Sequence, residues 1–148
     1  MATRPDPERL ALWNAFLAAH ASITAKLAAD LQTERDMTLP WFDTLSALAE
    51  AGVRLRMREL AERLGVNKSS LSRQIDRMED DGVVERVDVA GDARGHFATI
   101  TRDGRDLLRR ATPFHLKGVQ REFAQHLTDS DVVALQRVLT KLVPAPPA

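Results

Sequence analysis

The stretch from Leu60 to Gly82, LAERLGVNKSSLSRQIDRMEDDG, limits what this chain can become more than any other. It reads as a helix, a tight turn and a second helix. Leu60, Ala61 and Leu64 carry the apolar stripe of the first. Gly65 ends it, at a place that calls for a left-handed backbone, which glycine adopts cheaply. Asn67 is placed to cap the second helix, its side-chain oxygen accepting the backbone N–H of Ser69 or Ser70. At about 100° per residue, Leu71, Ile75 and Met78 share one face. Ser69 and Arg73 point away from that face. Ser70 and Arg77 flank them on one side, Ser72 and Asp76 on the other, and Gly82 supplies the stop. A merely solvated face would mix lysine and glutamate; this one carries serine and arginine behind a capped turn. Arginine donates bidentately to guanine O6 and N7, and serine reaches phosphates or base edges. The pattern predicts a recognition helix for the major groove of DNA, with Asn67, Lys68, Ser69, Ser70, Ser72, Arg73 and Arg77 as contacts.

The residues after Gly82 extend that surface. Val83 to Val89 is rich in valine, which suits a strand, and His96 to Ile100 makes a second short strand. Ala90 to Gly95 lies between them as a glycine-flanked tip. A hairpin directly after a recognition-type helix is a wing. Arg94 at its tip can enter a narrow minor groove, and Asp92 is close enough to hold the guanidinium. A loop arginine standing alone would carry no such meaning; the preceding helix pair gives it one.

These pieces resemble the MarR family of winged-helix transcriptional regulators. The resemblance rests on Arg56 to Val66 (RMRELAERLGV), Asn67 to Val87 (NKSSLSRQIDRMEDDGVVERV), Asp92-Ala93-Arg94 at the tip, and Thr99 to Gly104 (TITRDG) after it. The chain departs from the family's usual D-R-R at Ala93 and has Ile100 where leucine is usual. Outside Arg56 to Gly104 the similarity is one of helix order and length.

The remainder reads as helical, so the fold class is mainly α with a small β-wing. Asp6 caps and Pro7 opens a first helix running to about Arg35. Pro40 opens a second, which Gly52 stops, and Val53 to Arg56 can pair with the wing. Thr101 caps a long helix expected to reach about His126. Thr128 and Asp131 form a capping box for a last helix ending near Val143. The expected organisation is one domain, 1–148, with a DNA-binding lobe at 53–101 and dimerisation helices at 6–36 and 105–143. The C-terminal helices carry more apolar surface than a small winged lobe covers. Val119, Phe123, Leu127, Leu135, Leu139 and Leu142 are therefore expected at an interface between two copies, with a bundle against the first helix as the other possibility.

Trp13, Phe16, His20, Trp41 and Phe42 place aromatic area near the junction of the first two helices. Taken singly, core packing explains each of them. The resemblance implies a pocket there for a small aromatic or phenolic effector. His115, Glu122 and His126 share one side of the long helix. The two histidines lie about 16 Å apart at 1.5 Å per residue, too far for one metal ion, so no metal is expected.

With 148 residues and 44% hydrophobic content the chain can bury an ordinary core. It has no cysteine, hence no disulfide and no thiol sensor. Nothing approaches an apolar run of about 20 residues, and MATRPDPERL lacks the core of a signal peptide, so a cytoplasmic protein is expected. Net charge is zero, and the basic residues cluster instead at Arg54, Arg56, Arg58, Lys68, Arg73 and Arg77. Four scattered histidines and no Gly-rich phosphate loop offer neither catalytic machinery nor a cofactor site. The expected activity is sequence-specific binding of double-stranded DNA by a homodimer at a pseudo-palindromic operator. Repression relieved by a ligand is what the resemblance implies. The alternative is a winged-helix module that binds protein instead of DNA.

Overall fold

The structure is a computed structural model and describes residues 4–88, 90–91 and 95–143. Its elements are α1 (Pro7–Arg35), α2 (Leu39–Ala51), β1 (Leu55–Arg56), α3 (Met57–Leu64), α4 (Lys68–Asp80), β2 (Val84–Asp88), β3 (His96–Ile100), α5 (Arg102–Glu122), a 3-10 turn (Ala124–His126) and α6 (Asp129–Leu142). This is the mainly helical fold with a small β-wing that the sequence pattern predicts. The chain divides into two compact units, Ala28–His115 and the remaining residues from both ends. The division falls inside α1 and α5.

The Ala28–His115 unit holds the winged domain. Leu31, Leu45, Leu48, Leu60, Ile75, Met78, Ala98 and Ala111 are fully buried in one core. The larger aliphatic side chains among them each contribute on the order of 1.5–3 kcal/mol. Two chain reversals are fixed by left-handed glycines. Gly65, at φ 64°, donates its N–H to Glu62 O while Val66 N–H reaches Ala61 O. Gly82, at φ 76°, donates to Glu79 O while Val83 N–H reaches Met78 O. Both are the paired bonds that close a helix end. The sheet is antiparallel in the order β1-β3-β2, so the short strand expected before α3 does join the wing, as Leu55–Arg56.

The entry into α5 is tightly built. Thr101 Oγ1 donates to Gly82 O at 2.6 Å and accepts Gly104 N–H at 3.1 Å, and Thr101 N–H donates to Val83 O at 3.1 Å. Gly104 sits so close that a Cβ would lie 2.1 Å from Val83 O. The T-x-x-G spacing therefore has a cause: a threonine that bonds both ways and a residue with no side chain.

In the other unit, Asp6 Oδ1 accepts Arg9 N–H at 2.9 Å at the start of α1. Lys26 Nζ meets Glu122 Oε2 at 2.9 Å. The Thr128–Asp131 capping box forms as expected. The hydrogen bonds to Thr128 hold the Asp131 carboxyl below the usual carboxylate range. One expectation is corrected. The helix from Arg102 stops at Glu122 instead of running to His126, because Phe123 leaves helical backbone at φ −134°, ψ −66°. No residue of α6 is buried.

Candidate nucleic-acid interface

Helix α4 begins where its cap dictates. Asn67 Oδ1 accepts Ser70 N–H at 2.8 Å and Ser69 Oγ–H at 2.9 Å. The Asn67 side-chain oxygen is thus spent on the helix start, and its amide N–H groups are what it can offer a partner. Leu71, Ile75 and Met78 are buried. Asn67, Lys68, Ser69, Ser70, Arg73, Asp76 and Arg77 are exposed. The sequence-predicted contacts on α4 therefore share one open surface, with Ser72 at its edge and half-buried. Asp92 and Arg94, the contacts expected at the wing tip, lie outside the described residues, as does Val89.

Two networks hold α4 in place. Arg86 Nη2 donates to Asp76 Oδ1 at 2.6 Å and to the carbonyl and hydroxyl oxygens of Ser72 at 3.1 and 3.2 Å. Its backbone N–H donates to Glu79 Oε2 at 2.7 Å. The arginine of β2 thus neutralises an acid on the edge of the basic face and ties the wing to the helix. Ser72 has this structural duty besides any contact with nucleic acid. On the other flank, Gln74 Nε2 donates to the fully buried Thr44 Oγ1 at 2.6 Å and to Pro40 O at 3.3 Å. Thr44 Oγ1 itself donates to Pro40 O at 2.8 Å. This network anchors α4 to the start of α2.

The aromatic residues fall in different surroundings. Phe42 is buried and stacks on His115 with centroids 4.3 Å apart, while Trp41 is half-buried. His115 Nδ1 is enclosed without a hydrogen-bond partner among the described residues. Burial pushes the imidazole below its ordinary pKa, partly offset by the charge of Asp43, and desolvation pushes the Asp43 carboxyl up. Trp13 and Phe16 neighbour each other at 6.2 Å, and with His20 they are exposed. A cavity of about 140 Å³ is lined by Pro40, Asp43, Thr44, Leu71 and Gln74, among others, but not by Trp41 or Phe42. No helix among the described residues is long and apolar enough to cross a membrane.

A capped helix held outward by a helix–turn–helix and followed by an antiparallel hairpin defines a winged helix-turn-helix protein. Residues 35–95 match the MarR family. AbsC, a MarR family transcriptional regulator from Streptomyces coelicolor, shares the fold with a TM-score of 0.83 and 34% identity, over 96% of this chain and 95% of that one. Sco3205, a MarR family regulator of the same organism solved in complex with DNA, gives 0.85 and 30% over 96% and 89%. The HTH-type transcriptional regulator TcaR of Staphylococcus aureus (strain Newman) is 28% identical over 120 residues, 80% of this chain and 78% of that protein. The chain belongs to the MarR family of transcriptional regulators. That membership makes it a regulator and gives no ground for reading it as an enzyme.

Proposed function

We propose that this protein is a sequence-specific double-stranded DNA-binding regulator that acts as a homodimeric repressor on a pseudo-palindromic operator and is released by a small effector. The observation that carries the reading is the surface of α4. Its two arginines and three serines lie on one side, its apolar residues are buried on the other, and networks on both flanks fix its orientation. A helix held this way can present its side chains to base edges without paying to order its own backbone on binding. The DNA-bound relative Sco3205 supports the same use of the fold.

In this reading residues 1–148 work as one regulator. The lobe at 53–101 reads DNA, with Asn67, Lys68, Ser69, Ser70, Ser72, Arg73 and Arg77 on α4 and Asp92 and Arg94 in the wing. Segments 6–36 and 105–143 join two copies. Exposed apolar residues support the dimer: Phe123, Leu135, Leu139 and Leu142 are 43%, 38%, 42% and 68% exposed, with Val119 and Leu127 half-buried beside them. A patch of that size on a lone chain would be an aggregation hazard. A two-fold dimer would present two recognition helices to successive major grooves. An aromatic or phenolic effector is supported by Phe42 stacked on an imidazole whose Nδ1 lacks a partner among the described residues, with Trp41 as a further candidate in the same unit and Trp13, Phe16 and His20 as candidates on the part of α1 that belongs to the other unit. The proposed compartment is the cytoplasm.

A gel shift with the DNA upstream of its own gene, run beside light scattering, tests the proposal. The expected result is a retarded band, a footprint with two-fold symmetry and the mass of two chains. A monodisperse dimer that binds neither this nor any other duplex would make the winged domain a protein-binding module.

A further inference from the structure

The cavity of about 140 Å³ between the start of α2 and the helix–turn–helix has a chemistry that DNA reading does not use. Its walls are apolar: Leu64 at the end of α3, Val66 in the turn and Leu71 on α4. An apolar space of about 150 Å³ holds one benzene ring, so this one admits a single ring or a short branched chain. Thr44, fully buried, stands at its inner end and Asp43, exposed, at its outer one. All of these residues belong to the Ala28–His115 unit.

The polar groups on the wall are one-sided. Thr44 Oγ1 donates to Pro40 O and accepts a Gln74 Nε2 N–H, and the same amide nitrogen reaches Pro40 O. The Thr44 proton and the Gln74 donors are therefore engaged. That bonding also fixes which way the amide faces, and it leaves Gln74 Oε1, an acceptor, without a partner among the described residues. Asp43 makes no hydrogen bond or ion pair among them, and it is the one ionisable residue on the wall. Its electrostatic neighbour on α5, His115, is held below its ordinary pKa chiefly by burial and supplies no positive charge at neutral pH. The remaining polar side chain is the Ser70 hydroxyl, which can donate or accept. Apolar walls, one uncompensated carboxylate and a second acceptor call for a ligand that brings N–H donors, a positive charge and a small apolar body.

We propose that this cavity binds a small organic monoamine, its apolar body between Leu64, Val66 and Leu71 and its ammonium at Asp43, with Gln74 Oε1 as the second acceptor. Such an occupant joins α2 to the recognition helix on the flank opposite Arg86. The inference does not rest on the DNA-binding reading. Benzylamine, benzyl alcohol and benzoate share a ring and differ in the group it carries, so NMR of the full chain titrated with each at neutral pH tests it. Benzylamine should shift the backbone amides of Leu64, Val66 and Leu71 and the side-chain amide of Gln74. Benzyl alcohol should need about a tenfold higher concentration to do so, and benzoate should leave those signals in place. Asp43→Asn should bring benzylamine down to the level of the alcohol. If circular dichroism shows that variant unfolded, the wild-type series decides alone. Benzylamine binding no better than benzyl alcohol, or shifting only signals elsewhere, would overturn the inference, as would a folded Asp43→Asn protein that kept the preference for the amine.

Discussion

Replacing Gly104 by alanine sets two physical effects of opposite sign against each other. Gly104 lies in the first turn of α5, where helix propensity alone favours alanine by about 0.5–1 kcal/mol. The added Cβ, however, would sit 2.1 Å from Val83 O and 2.8 Å from Ile100 Cγ1. An ordinary carbon–oxygen contact is about 3.3 Å, so the backbone of α5 must retreat by roughly 1.2 Å. The retreat pulls on Thr101 N–H to Val83 O and on Thr101 Oγ1 to Gly82 O. Each of those bonds is worth about 0.5–1.5 kcal/mol, and the overpacking costs about 1–3 kcal/mol more. The net expectation for Gly104→Ala is a loss of about 2–4 kcal/mol. Urea unfolding at one fixed protein concentration should show a lower midpoint with an unchanged slope. The melting temperature should fall by about 5–15 °C for a chain of this length. A Gly104→Ala protein as stable as wild type, or more so, would show that propensity outweighs the clash and that the close approach is not a constraint.

Three further outcomes are expected. Arg73→Ala should weaken operator binding by about 1–3 kcal/mol and change random-DNA binding much less; undiminished operator affinity in a gel shift would take α4 out of the groove. Phe123→Asp combined with Leu139→Asp removes two side chains worth about 1.5–3 kcal/mol each at an apolar interface. Light scattering should then report monomers, with operator affinity collapsing because the second half-site is lost; a folded monomer binding at wild-type affinity would refute the dimer. The third concerns pH. His115 is held below its ordinary 6.5, chiefly by burial, so the unfolded chain takes up the extra proton first. Its contribution to stability is full above 6.5 and declines as pH falls through the lowered value. Asp43, raised above 3.8 by desolvation, acts oppositely: its contribution is full below 3.8 and is lost as pH rises through the raised value. The urea midpoint should therefore drop between about pH 7 and pH 5.5, and His115→Gln should flatten that drop; an equal drop in the variant would exclude His115 as its source.

What the sequence revealed and what it concealed divide by distance along the chain. Asn67, Gly65, Gly82 and the Thr128–Asp131 box act on backbone groups within a few residues, so their residue types announce them. The burial of Leu71, Ile75 and Met78 follows from spacing on one helix. The side chain of Arg86 is different. Its partners lie ten and fourteen residues away on another element, and nothing local separates it from any other exposed arginine in a strand. For the same reason Ser72 reads as a DNA contact when its oxygens also serve Arg86. At Phe97, alternation along the strand places the ring outward, and only the cross-strand register brings Arg54 and Arg56 over it. The end of α5 was hidden by its own periodicity. Phe123 and Leu127 continue the apolar stripe past the point where the backbone leaves the helix.

The joint at Thr101 ties the end of α4 and the start of α5 to the same few atoms: Gly82 O, Val83 O and Thr101 Oγ1. With Gly104 seated against Val83 O, there is no slack in that joint. A roll of helix α4 about its own axis would pull on that joint and so on the first turns of α5, as a crank pulls on its shaft. Rotation of the first turns of α5 would therefore disturb the end of α4, the helix on which the exposed Arg73 and Arg77 stand, and in the proposed DNA-bound state the duplex would oppose that rotation.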